Sequence, residues 1–189
     1  DSGVSYADRK GCVDSDGDGY SDPDSSGDTD NGADAFENDD SQWSDFDGDG
    51  FGDNWGNSSW TDRPENWPGI FVNGILSVSQ DACPLQPGNS TQDGIIGCPD
   101  DDGDGWYDVQ DAFVFDSSQW QDTDGDGFGD NQLGEQPDAC IATPGNSTED
   151  RVGCVDTDGD GCSNPVQASW SINDGADAFI SEPTQWQDS

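Results

Sequence analysis

The sequence predicts a mostly irregular fold, an array of repeats with little regular secondary structure, and three observations lead there. Leu, Ile, Val and Phe together supply only about a seventh of the chain, within the range of chains that cannot build a large apolar core. The stretches between recurring landmarks are mostly Gly, Asp, Ser, Asn and Pro, which favour turns and left-handed backbone over long helices or strands. The segment Asp-x-Asp-Gly-Asp-Gly occurs five times, beginning at Asp14, Asp45, Asp100, Asp122 and Asp156.

Each copy has the chemistry of a calcium loop. Carboxylates at the first, third and fifth positions of a tight loop converge on one hard cation, and Gly at the sixth lets the backbone offer the next carbonyl. The copy at Asp100 is the fullest. Asp100, Asp102 and Asp104 take positions one, three and five, Trp106 offers the carbonyl at seven, Asp108 is nine and Asp111 is twelve. An EF-hand would put a bidentate Glu at twelve and flank the loop with amphipathic helices, and this sequence does neither. In the copies Asp45, Asp47, Asp49 and Asp122, Asp124, Asp126, the carbonyls belong to Phe51 and Phe128 and position nine to Asp53 and Asp130. Gly56 and Leu133 stand at twelve there, so the remaining ligands must come from elsewhere. The first copy, Asp14, Asp16 and Asp18 with Tyr20 at seven, keeps Asp22 and adds Asp24. The last, Asp156, Asp158 and Asp160, has Cys162 at seven and Asn164 at nine, and ranks as the poorest site. By repeat position Asp34 and Asp177 match Asp111 and are expected to reach the corresponding ions.

Calcium is expected over magnesium because many flexible oxygen ligands suit a large coordination shell. Zinc lacks its usual ligands in a chain without His. The bland alternative is an acidic, turn-rich linker, which scattered aspartates would favour. The regular spacing argues against it.

Self-comparison sets the organisation. A first unit spans 1–96 and carries an insertion at 55–80; a second spans 97–152; a third, 153–189, stops in mid-motif, where Asp188-Ser189 matches Asp122-Thr123. Each unit passes through Gly-Cys, an aspartate loop, Asp-Ala-Phe and Gln-Trp in the same order. Phe36, Phe113 and Phe179, with Trp43, Trp120 and Trp186, recur at matched positions, where they are expected to form a small hydrophobic staple per unit. A carbohydrate platform is the sharper alternative. In the insertion, Ile70-Phe-Val-Asn-Gly-Ile-Leu76 carries a two-residue turn signal at Asn73-Gly74 and predicts one short β-hairpin near 70–78. Trp55, Trp60 and Trp67 either cover it or join it in an apolar contact patch.

The formal net charge is −39, from 43 acidic residues against four Lys and Arg, so the chain without counterions repels itself, and nucleic acid and anionic membranes are implausible partners. No apolar run is long enough to span a bilayer. Six cysteines, the absence of His, Asn-x-Ser/Thr acceptors at Asn57, Asn89 and Asn146, and loops that need abundant calcium predict an extracellular, secreted or cell-surface setting.

The residue types and their order resemble thrombospondin type 3 repeats, in which Asp-x-Asp-x-Asp-Gly loops alternate with Asp-Ala-Cys-Pro segments. The resemblance covers nearly the whole chain apart from the insertions. It implies a calcium-wrapped, disulfide-stapled backbone wound around lines of ions. The departures are the insertion, Cys162 within a loop, and Asn164 in place of Asp.

Matched repeat positions pair Cys83 with Cys98 and Cys140 with Cys154. Cys12 is in phase with Cys98 and Cys154, which leaves Cys162 as its only other candidate. The phase partner of Cys12 would lie before Asp1, and Cys12 and Cys162 lie near opposite ends of an extended array, so Cys12 of one molecule is expected to bond Cys162 of the next, head to tail, unless either thiol is free or its partner lies outside this sequence. The leading functional expectation is a calcium-stabilised structural repeat protein, a stalk, adhesin spacer or self-associating fibre subunit. The second is an adhesion module whose tryptophan-rich insertion recognises a glycan or surface protein. An enzyme is the least favoured class, because nearly every Asp cluster is committed to metal spacing and no general acid or nucleophile stands out.

Overall fold

The computed structural model describes residues 3–56, 60–61, 63–75, 80–166 and 169–187. Among them there is no α-helix, and the only paired strands are β1 (Gly3–Val4) and β2 (Val13–Asp14), antiparallel, with Gly3 opposite Asp14 and Val4 opposite Val13. A short 3-10 turn covers Thr29–Asn31. Contacts divide the chain into two compact units, Asp1–Asp108 and Val109–Ser189, a cut that falls inside the second sequence repeat.

Regular structure is scarce because the backbone satisfies itself in another way. In every aspartate loop the N–H at position nine closes a ring onto the carbonyl preceding position one: Asp22 to Val13, Asp53 to Ser44, Asp108 to Pro99, Asp130 to Gln121 and Asn164 to Val155. The loops that follow Gly-Cys are capped by a second recurring turn. Ser5, Ser90 and Ser147 bond through their hydroxyls to the carbonyls of Arg9, Ile95 and Arg151, and the two residues after each serine donate to the carbonyl of Gly19, Gly105 or Gly161. The Ser in the copied Pro-Gly-Asn-Ser-Thr segments is thus a buried structural residue. Asn89 and Asn146 are exposed beside it, while Asn57 lies outside the described residues.

The interior is polar. The largest fully buried side chains are Gln42, Gln119 and Asn54, followed by Asp14, Asp34, Asp53, Asp81, Asp138 and Asp177. The carboxamides lock the turn between Gln-Trp and the following loop. Gln42 donates from Nε2 to the Asn54 carbonyl (3.1 Å) and accepts from its N–H (2.9 Å), and Gln119 does the same with Asn131 (3.1 and 2.9 Å). The expected aromatic staples sit further out. Phe36, Phe113, Phe179, Trp43 and Trp120 are only half-buried and Trp186 is 53% exposed. Trp43 stacks on Tyr20, with ring centroids 5.1 Å apart.

Two disulfides hold the fold, Cys83–Cys98 and Cys140–Cys154, with Cα–Cα distances of 5.0 and 5.1 Å. Both are the pairs expected from repeat phase. In the insertion the chain turns at Asn73-Gly74, with Gly74 at φ 93°. Phe71 forms a parallel bridge to Trp55, and residues 76–79, needed for the second strand of the expected hairpin, lie outside the described residues.

Candidate metal centres

Position one of each loop is a hub for glycine amides. Asp14 accepts from Gly17 and Gly19, Asp45 from Gly48 and Gly50, Asp100 from Gly103 and Gly105, Asp122 from Gly125 and Gly127, and Asp156 from Gly159 and Gly161, at 2.6–3.1 Å. Both glycines are required, since all ten have φ between 79° and 108°. Sequence reading assigned a role to the sixth position alone.

The carboxylate at position five accepts the N–H at position seven through one oxygen: Asp18 from Tyr20, Asp49 from Phe51, Asp104 from Trp106, Asp126 from Phe128 and Asp160 from Cys162. Its second oxygen is buried and unpartnered in Asp18, Asp104 and Asp160, as is one oxygen of Asp16, Asp102 and Asp158 at position three. At Asp47 and Asp124 both oxygens are. In each loop the carboxylates at one, three and five bring ligand oxygens within 4.8 Å of one another, so each triplet can hold a metal ion. The carbonyls of Tyr20, Phe51, Phe128 and Cys162 accept no backbone hydrogen bond among the described residues, which leaves them free for the ligand role expected at position seven.

A fourth carboxylate arrives from the Asp-Ala segment downstream. The N–H groups of Asp34, Asp81, Asp138 and Asp177 donate to the carbonyl at position eight of their loops, Ser21, Gly52, Gly129 and Ser163, at 2.8–3.0 Å. One oxygen of each then accepts the N–H two residues on, from Phe36, Cys83, Cys140 or Phe179. The other oxygen of Asp81, Asp138 and Asp177 is buried with no partner. Asp34 and Asp177 were expected at their loops from repeat phase; Asp81 and Asp138 were missed. Their signal was present, because Asp-Ala-Cys occupies the same place after its loop as Asp-Ala-Phe. Asp111 is buried and accepts from Phe113 in the same way, within the second compact unit.

Burial, with neighbouring carboxylates second, raises the affinity of these groups for protons. Burial first, then Asp49, Asp47 and Asp53, pushes Asp81 up to about 8 against the opposing Cys83 N–H. Burial and the neighbouring Asp18, Asp16 and Asp22 take Asp34 to about 7. Asp18, Asp47 and Asp53 rise to about 6 and Asp138 and Asp177 also rise, burial being the main cause throughout.

Position nine serves the loop itself. Asp22, Asp108, Asp130 and Asn164 accept the N–H of position two, from Ser15, Asp101, Thr123 and Thr157. A carboxamide oxygen does this as well as a carboxylate, which explains why Asn is accommodated in the last loop. At Asp53, Ser44 Oγ holds one oxygen, the Phe46 N–H at position two works against the rise in its pKa, and one oxygen is buried without a close partner. Asp24, expected as an additional ligand, turns instead to Ser26 and Arg9 (2.6 Å), contacts that lower its pKa.

Cys12 and Cys162 are both free. Cys162 takes the place that Tyr, Phe or Trp holds in the other loops and is buried, and burial with nearby carboxylates pushes its thiol up to about 11. No protein-family model matches the chain, and no curated protein matches it. Among the described residues no helix is long and apolar enough to cross a membrane.

Proposed function

We propose that the chain is an extracellular, calcium-stabilised structural repeat protein that serves as a stalk or self-associating fibre subunit, built on repeats of the thrombospondin type 3 kind. The observation that carries this reading is the buried, unpartnered oxygen of Asp81, Asp138 and Asp177, each set against an Asp triplet. An isolated carboxylate is costly to bury, and four together call for a cation. Calcium suits the site because every donor is a hard oxygen: carboxylates at one, three and five, the Asp-Ala carboxylate, and the backbone carbonyl at seven. The two disulfides fit an oxidising setting. With so small an apolar interior, bound ions supply the cohesion that a hydrophobic core supplies elsewhere.

The test is removal and return of the ion. Chelation is expected to abolish the circular-dichroism signature and protease resistance together, and calcium is expected to restore both. Equal resistance with and without calcium would reject the reading.

The second reading, an adhesion module for a glycan or surface protein, draws support from the insertion, where Ile70 is 53% and Phe71 38% exposed beside Arg63. Glycan-array binding that disappears when 55–80 is deleted would favour it. Head-to-tail assembly through Cys12 and Cys162 requires Cys162 to leave its buried place, and non-reducing electrophoresis of calcium-loaded and calcium-free protein tests that directly.

A further inference from the structure

Two indoles of the insertion reach into the Asp45 loop. Trp55 Nε1–H donates to the carbonyl of Asp81 and Trp67 Nε1–H to the carbonyl of Asp53, both at 2.7 Å. These acceptors belong to the two residues whose carboxylates close that loop, and each carboxylate keeps a buried oxygen without a close partner. The surrounding backbone is tied in as well. Trp55 N–H bonds the Ile70 carbonyl (2.9 Å), Val72 N–H bonds the Trp55 carbonyl (2.8 Å), and Ile70 N–H bonds Asn54 Oδ1 (3.0 Å). Gly69 lies so close to the Asp53 carbonyl that a Cβ there would collide with it.

The second copy supplies an internal control. The Asp122 loop has no such insertion, and Gln132 stands where Trp55 stands in the Asp45 loop. Its Nε2 donates to the carbonyl of Asp138 at 2.6 Å and, at a longer 3.4 Å, to that of Asp130. Asp138 and Asp130 are the counterparts of Asp81 and Asp53. Different side chains thus aim N–H donors at the same two carbonyls, an agreement that burial of aromatic surface alone does not produce.

We propose that Trp55 and Trp67 are positioning residues of the Asp45 cation site, and Gln132 of the Asp122 site, holding the backbones of two carboxylate-bearing residues at a fixed separation. The proposal rests on the cation reading above and adds which side chains outside the ligand set govern affinity. It also links the tryptophan insertion to the ion: whatever orders one orders the other.

The experiment follows the amide resonances of Gly50 and Gly127 in the full chain during calcium chloride titration, because each donates to the position-one Asp of its own loop. Trp55→Phe and Trp67→Phe keep a ring but lose the donor, and are expected to move the Gly50 midpoint to about fivefold higher calcium, the size of one lost hydrogen bond. The Gly127 midpoint should stay in place, which also shows that the fold is intact. Trp55→Gln loses the ring but restores the donor chemistry of Gln132, and is expected to hold the Gly50 midpoint within about twofold of the parent. Gln132→Leu should shift Gly127 alone. Retention of affinity by Trp55→Phe, or equal loss in Trp55→Gln, would overturn the positioning role in favour of simple packing. A parent chain whose Gly50 and Gly127 ignore calcium would remove the cation reading itself, and this proposal with it.

Discussion

Gln42 and Asn54 hold each other through a reciprocal pair of hydrogen bonds, side-chain carboxamide to backbone amide, at a site with no solvent exposure. The Asn54 side chain continues the chain of bonds to the Ser41 carbonyl (3.0 Å), as that of Asn131 does to Ser118 (2.7 Å). Gln42→Ala would strand a donor and an acceptor where water cannot reach. The expected loss is about 1–3 kcal/mol per stranded group, read as a fall in urea midpoint at saturating calcium. Gln42→Glu should be nearly as harmful, because a carboxylate cannot donate to the Asn54 carbonyl.

Asp138→Asn and Asp130→Asn separate the two kinds of carboxylate in one loop. Asp138 presents a buried, unpartnered oxygen, whereas both oxygens of Asp130 are engaged by Thr123. Asp138→Asn is expected to remove one ion from the count in native mass spectrometry. Asp130→Asn copies the arrangement already present at Asn164 and should keep it. Loss of the ion in both variants would show that position nine is a ligand as well as a clamp.

The architecture was legible in the sequence because its period was legible. Five loop spacings, the repeated Gly-Cys and Asp-Ala landmarks and the cysteine phases were enough to expect an irregular fold and both disulfides. Asp81 and Asp138 were overlooked because loops were matched to a twelve-residue template, while these ligands return after a longer excursion and are recognised only by what precedes Ala. Asp24 was misplaced because its fate depends on Arg9, a contact 15 residues away that no loop template contains. The aromatic residues drew the hydrophobic expectation, yet Gln42, Gln119 and Asn54 fill the interior. Gln42 and Gln119 recur with the Gln-Trp landmark, but a polar residue in that place carries no hydrophobic signal to mark it as interior.

Ion-free protein should be sturdier in mild acid than at neutral pH. The folded pKa of Asp34 is about 7 and that of Asp81 about 8, against 3.8 for an ordinary Asp. For an acid whose folded pKa is raised, the folded state holds the extra proton, so its stabilisation is complete below the unfolded pKa and is lost as pH rises through the folded value. Chelated protein, unfolded at neutral pH, is therefore expected to regain structure as pH falls from about 8 to about 4. Calcium should displace the same protons, and titration at pH 6.5 in weak buffer is expected to release acid. An alkaline response would contradict the buried-carboxylate arrangement.

Thiol labelling should distinguish the two unpaired cysteines. Cys12 is partly exposed and is expected to react with iodoacetamide in the folded, calcium-loaded chain. Cys162 is expected to react only after unfolding, and peptide mapping after timed labelling reads the difference. Opening Cys83–Cys98, which are separated by 15 residues, should cost about 3 kcal/mol through chain entropy alone.

An interior of carboxylates and carboxamides changes what unfolding would look like. Where an oily centre melts, apolar surface meets water, heat capacity climbs and the exposed chains clump. This chain has little such surface to release, so its calorimetric step should be unusually flat for 189 residues. If cations are its interior, an ion-free chain would be a highly charged polymer whose copies repel one another rather than clump.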